Sequence, residues 1–200
     1  MNILKFIAAL VAVVVPIASH SATLEVNGEG QLTGATGVNV DGSNWDVVFS
    51  DGAWDFSDGT GLPASTKAGA DLFGQALLDQ VFLDSALGLF DSDPETTNGC
   101  ENLNSCSIFI PYLVVDGATF FSIAINQRAE GVNPDMVREL PISLGTNGDF
   151  SDVTTRTLGV WTPSSSTIPP PSAVPIPAAV WLFGTALVGF IGFSRRRKVV

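Results

Sequence analysis

The chain is poor in the residues that do most enzymatic work. Its 200 residues include one histidine, two cysteines, and nine basic residues against 20 acidic ones. The histidine, His20, falls in an N-terminal stretch read below as removable, so the mature chain keeps none. That excludes a Ser-His-Asp triad, a Cys-His pair and histidine metal ligands. No G-x-S-x-G elbow or phosphate loop occurs; the run GTGLPASTK lacks the glycine-lysine-serine/threonine ending a phosphate loop needs. Positive charge is scarcest in the middle. Residues 23–173 hold all 20 acids but only Lys67, Arg128, Arg138 and Arg156, a net charge of −16 against −11 for the whole chain. Such a surface repels nucleic acid and anionic lipid and suits a soluble extracellular protein or one meeting cations or basic partners. Plain solubility is the simplest account of it.

The two ends carry what the middle lacks. MNILKFIAALVAVVVPIASHSA has the parts of a secretory signal: Lys5, an apolar run from Phe6 to Ile17, then small residues. The apolar run is short for a span, which needs about 20 residues, so a cleaved signal over 1–22 is preferred to a retained anchor. At the other end, Val174 to Phe193 is 20 residues without a charge, followed at once by Arg195, Arg196, Arg197 and Lys198. A helix rising about 1.5 Å per residue covers one hydrocarbon core over that length. The basic cluster then marks the cytoplasmic side, and everything between the two ends lies across the membrane.

The order of parts in this tail resembles the PEP-CTERM sorting tail of Gram-negative bacteria. Val174-Pro175-Ile176-Pro177 is followed by the uncharged run beginning Ala178-Ala179-Val180-Trp181 and then by Arg195–Arg197. The namesake Pro-Glu-Pro is here Pro175-Ile176-Pro177, with a hydrophobic middle residue. The resemblance covers 174–200 only. It implies recognition by an exosortase, a membrane-embedded cysteine transpeptidase that cuts near the motif. It also implies transient anchoring in the inner membrane, then release to the surface or matrix with exopolysaccharide as an associate. A simple permanent tail anchor is the plainer alternative.

Between the ends, residues 23–161 are long enough for one domain with a real core, and 162–173 reads as a Pro/Ser/Thr-rich linker. Leu32, Val38, Val40, Val47 and Phe49 suit strands, with a hairpin turning at Asp41-Gly42. Ala68, Leu72, Phe73, Ala76, Leu77, Val81 and Leu87 recur at helical spacing, predicting a helix capped by Ser65 or Thr66 and ended by Gly88. IFIPYLVVDGATFFSIAINQ predicts two strands turning at Asp116-Gly117, with Pro111 at an edge or a bulge. Residues 128–150 read as loop with a helical turn at Asp135–Leu140, and DVTTRTLGVW as a last strand. Trp45-Asp46 and Trp54-Asp55 form a faint local echo. The expected class is α+β: a mostly antiparallel sheet, one main amphipathic helix, and the signal and transmembrane segments at the ends.

Cys100 and Cys106 in CENLNSC predict one disulfide in an oxidising compartment, with a reactive pair or a metal site as alternatives. Two further ligands of the usual kind are missing for metal. Calcium finds oxygen-rich candidates in Asp91, Asp93 and Glu95 and in Asp51, Asp55 and Asp58, although solvated turns explain both sets as well. No cofactor is expected. The leading functional expectation is a non-enzymatic exported protein; a glycan-acting enzyme using paired carboxylates is the runner-up.

Overall fold

The structure, a computed structural model, describes residues 22–128, 134–139 and 143–165. The expected signal over 1–22, apart from Ala22, most of the expected linker and the expected sorting tail over 174–200 therefore lie outside the described residues. Among the described residues no helix is long and apolar enough to cross a membrane.

Twelve strands and one α-helix make up the described chain. They are β1 (Thr23–Val26), β2 (Leu32–Val40), β3 (Ser43–Ser50), β4 (Ala53–Asp55), α1 (Lys67–Gln80), β5 (Asp84–Ser85) and β6 (Gly88–Leu89). After a 3-10 turn at Pro94–Thr96 come β7 (Ser105–Val115), β8 (Ala118–Gln127), β9 (Met136–Glu139), β10 (Leu144–Gly145), β11 (Asn147–Asp149) and β12 (Arg156–Pro163). The main sheet runs β1-β2-β3-β12-β7-β8, with β9 and β10 both pairing along the far edge of β8. Every pairing in it is antiparallel except β12 with β7. A mostly antiparallel sheet with one main helix is thus what the chain forms.

Both Asp-Gly turns form as expected. Asp41 and Gly42 have φ of 48° and 82°, Asp116 and Gly117 of 51° and 76°, the doubly left-handed geometry that joins strands of right-handed twist. Pro111 occupies a bulge between β7 and β8. It is also where β7 loses its other neighbour. The Ser107 N–H donates to Thr155 O, so alternate residues 109 and 111 turn their amide positions toward β12. Pro111 has no donor to offer, and the β12–β7 register stops at Leu158–Phe109.

Each face of the sheet buries its own layer. Helix α1 and Val81–Phe90 cover one, where Phe73 meets Trp45 and Trp161 with ring centroids 4.9 Å away in each case. A two-stranded ribbon of β4 and β11 covers part of the other, placing Trp54 and Phe150 against Phe109 and Phe121. The two Trp-Asp dipeptides therefore serve different layers.

Four expectations need correcting. The helix is shorter than its apolar pattern: Thr66 caps it through Gly69 N–H, and it ends at Gln80 rather than at Gly88. Asp84 supplies the reason, because its carboxylate accepts from Asp91 N–H, Ser92 N–H and the Ser92 hydroxyl and winds the next residues into a compact loop. Leu87 and Gly88 belong to that loop, and Leu72, counted on the buried face, is 48% exposed. Asp135 is not helical, and Met136–Glu139 form a strand, since Ser122–Ile125 of β8 present a free edge that β9 fills. The last strand forms as expected and sits inside the sheet, between β3 and β7. It also runs through Thr162 and Pro163, the first two residues assigned to the linker.

Candidate functional site

A polar cleft of about 330 Å³ opens where β2 begins and β3 ends. Gln31, Asp51, Asn98 to Glu101 and Phe150 to Thr154 line it. Its walls are loops tied to the sheet by main-chain bonds. Asn98 donates its backbone N–H to Leu32 O and its side-chain amide to Phe49 O at 2.8 Å. Glu101 N–H reaches Thr154 O, and Cys100 forms a β-bridge to Thr155. The Cys100–Cys106 disulfide, with Cα atoms 5.6 Å apart, joins this wall to β7 and settles the open reading of the pair. Gly99 is required here: its φ is 82°, and a Cβ would lie 2.7 Å from that of Asp51.

The acidic residues of the cleft lining are Asp51, Glu101 and Asp152, all exposed. None of the ion pairs among the described residues involves them; those pairs join Lys67 to Asp71 and Arg128 to Asp93 and Glu95. The cleft is therefore anionic and rich in hydrogen-bond acceptors, and its aromatic residue, Phe150, is buried beneath it.

A second acidic group surrounds Arg128. Its guanidinium holds Asp93 at 2.8 Å and Glu95 at 3.1 Å. Nearby, Asp91 and Asp135 are close enough to share a hydrogen bond. Burial, then the charge of Asp84, pushes Asp91 above the ordinary carboxylate range. Burial also raises Asp135, against the Gln127 N–H that it accepts at 2.7 Å. A hydrogen bond between two carboxyls needs one proton held between them, and the upward direction of both acids agrees with that.

The calcium candidates do not converge. Asp93 and Glu95 share the single charge of Arg128, while Asp91 has Asp135 as its neighbour. Asp51 lies in the cleft, and Asp55 and Asp58 each cap their own turn, accepting from Ser57 and Thr60 N–H. Among the described residues no three metal-ligating side chains gather. The sorting motif Val174–Pro177 and the cluster Arg195–Lys198 fall outside the described residues. Arg128, Asp135, Glu101 and Asp152 escaped the sequence reading because nothing local marks them; each meets its neighbours across long chain separations.

A third polar group ties the helix to the sheet. Lys67 Nζ donates to Asp71 at 2.6 Å, Ser122 donates to the other oxygen of Asp71, and Tyr112 donates to Glu139 at 2.8 Å. Burial, then the bond to Glu139, pushes the Tyr112 hydroxyl up to about 12, so it remains a donor through the physiological range. No family model, curated protein or solved structure matches the chain.

Proposed function

We propose that the chain is an exported, non-enzymatic protein of the cell surface or extracellular matrix, sorted through a removable C-terminal tail. The observation that carries this is the order of parts at the end of the sequence: Val174-Pro175-Ile176-Pro177, 20 uncharged residues from Val174, then Arg195–Lys198, all behind an export signal. Two features of the body support it. The disulfide suits an oxidising compartment, and the compact unit ends at Ser164, immediately before the proline-rich run. In this reading an exosortase cuts the tail near Pro177. The body then joins exopolysaccharide-rich material, presenting an acidic, hydrogen-bonding surface.

Intact mass of the protein from its native cells, membrane and released fractions measured separately, tests the reading. A released species lacking everything beyond about Pro177 is the expected result. Full-length chain found only in the membrane would instead make this a tail-anchored domain of the inner membrane, and the sorting proposal would fail.

A further inference from the structure

Strand β7 has one open side. Strand β8 pairs along its whole length, but β12 covers the opposite side only at Ser107–Phe109. From Pro111 onward that side fronts a groove of about 540 Å³ lined by Tyr112, Leu113, Val114 and, across from them, Leu62, Pro63 and Ser65. Tyr112 packs into the layer under the helix and Val114 against the layer on the opposite face, so a groove lined by both runs along the strand's edge. Among the described residues no main-chain hydrogen bond joins residues 59–65 to 112–115. The edge is also apolar: Leu113 is 38% and Val115 45% exposed.

Unpaired main-chain donors and acceptors beside an apolar wall form a template for an added strand. Charge narrows the occupant. No lining residue is charged, the exposed Glu139 accepts from Tyr112 of the groove, and residues 23–173 carry −16. Acidic segments, and a second copy of this chain, meet like charge there. We propose that the free edge of β7 docks an extended, neutral-to-basic peptide segment of another protein, paired as a strand along Tyr112–Val115. Pro111 and its bulge close one end of the slot and keep it to about four residues. This goes beyond the sorting reading and does not depend on it.

The test uses the full chain in detergent and a fluorescent peptide of about eight alternating lysines and valines. It is compared with a copy N-methylated on alternate amides and with a glutamate–valine copy. Expected are binding of the first, about tenfold or more weaker binding of the other two, and slowed amide exchange at Val114, whose pair with Thr119 turns its N–H to the open side. Leu62→Arg and the exposed Ser65→Arg should weaken binding about tenfold, while Leu89→Arg, on the β5–β6 loop, should not. Absence of binding, equal binding of the N-methylated peptide, or indifference of both groove variants in folded protein overturns the proposal. Self-association of the chain that Ser65→Arg abolishes also overturns it, by making the occupant a second copy.

Discussion

Reduction of the Cys100–Cys106 bond is the perturbation whose cost is best fixed by the structure. The bond closes the seven residues 100–106, and both cysteines are buried, at 1% and 0% exposure. In the chain-entropy account a loop of that size removes about 8 cal/mol/K from the unfolded ensemble, or about 2.4 kcal/mol at 25 °C. Reduction adds only two hydrogens to a packed site, so the loss should stay near that figure. The described body spans residues 22–165; at about 2.1 cal/mol/K per residue its unfolding entropy is about 300 cal/mol/K, and the melting temperature should fall by about 8 °C. The assay is thermal and urea unfolding of oxidised protein and of protein reduced with a phosphine. The urea slope should rise slightly on reduction, because an uncrosslinked unfolded chain exposes more surface. Since both sulfurs are enclosed, reduction of the native protein should follow local opening and saturate with reductant concentration. Two results would refute the reasoning. A shift within about 2 °C would mean the loop is already restricted when unfolded. Complete failure of the reduced chain to fold would mean the bond acts by pinning β12 through the Cys100–Thr155 bridge, a role the loop entropy omits.

Three further outcomes are expected. Asp91 and Asp135 have raised folded pKa values, so their contribution is fully present below the ordinary 3.8 and is lost as pH rises through the raised values. Asp135→Asn keeps an acceptor for Gln127 N–H and gives Asp91 a donor, so urea midpoints should exceed wild type at pH 7 and converge with it near pH 3.8; no difference at pH 7 would sink the shared-proton account. Gly148 pairs across from Trp54 in the β4–β11 ribbon, and a Cβ there would enter the Trp54 ring; Gly148→Ala should cost about 1–3 kcal/mol, read by denaturation and by altered tryptophan fluorescence. Thr66→Ala removes the cap that accepts from Gly69 N–H and should cost about 1 kcal/mol, whereas Ser65→Ala should cost almost nothing.

What the sequence made legible was local. Asp41-Gly42 and Asp116-Gly117 announce their turns because type I′ geometry needs two left-handed residues, and few other dipeptides supply them. Thr66 announces the start of α1 for a similar reason. The end of α1 was hidden, because Leu87 keeps helical spacing while Asp84 offers the backbone a competing set of bonds seven and eight residues ahead. Strand order was hidden more deeply. Nothing in RTLGVWTP says that it inserts between β3 and β7; that follows from matching Leu158 to the Phe109 layer and Trp161 to the Phe73 layer at once. The acidic cleft shares the difficulty, drawing Gln31, Asp51, Asn98 and Asp152 from four distant segments. Neither composition nor spacing brings those together.

The position of β12 bears on the sorting proposal. It is the last strand of the body yet an interior one, so the main sheet has a gap between β3 and β7 until residues 156–163 are available. Trp161 stacks edge-on against Phe73 of α1, and Leu158 joins the aromatic layer on the opposite face, so both cores wait for the same strand. Under the proposal the apolar run from Val174 holds the chain at the membrane, leaving residues 164–173 between strand and span. Ten residues reach at most about 33–36 Å when fully extended. That is enough for β12 to dock while the tail is still anchored, at a body whose compact size is set by about 140 residues. Ser164 closes the strand by donating its N–H to Asn44 O at 3.0 Å and its hydroxyl to Asp46, two residues inside the stretch read as linker. Under the sorting proposal the body finishes folding before any cut is made, and a cut near Pro177 removes none of the described residues.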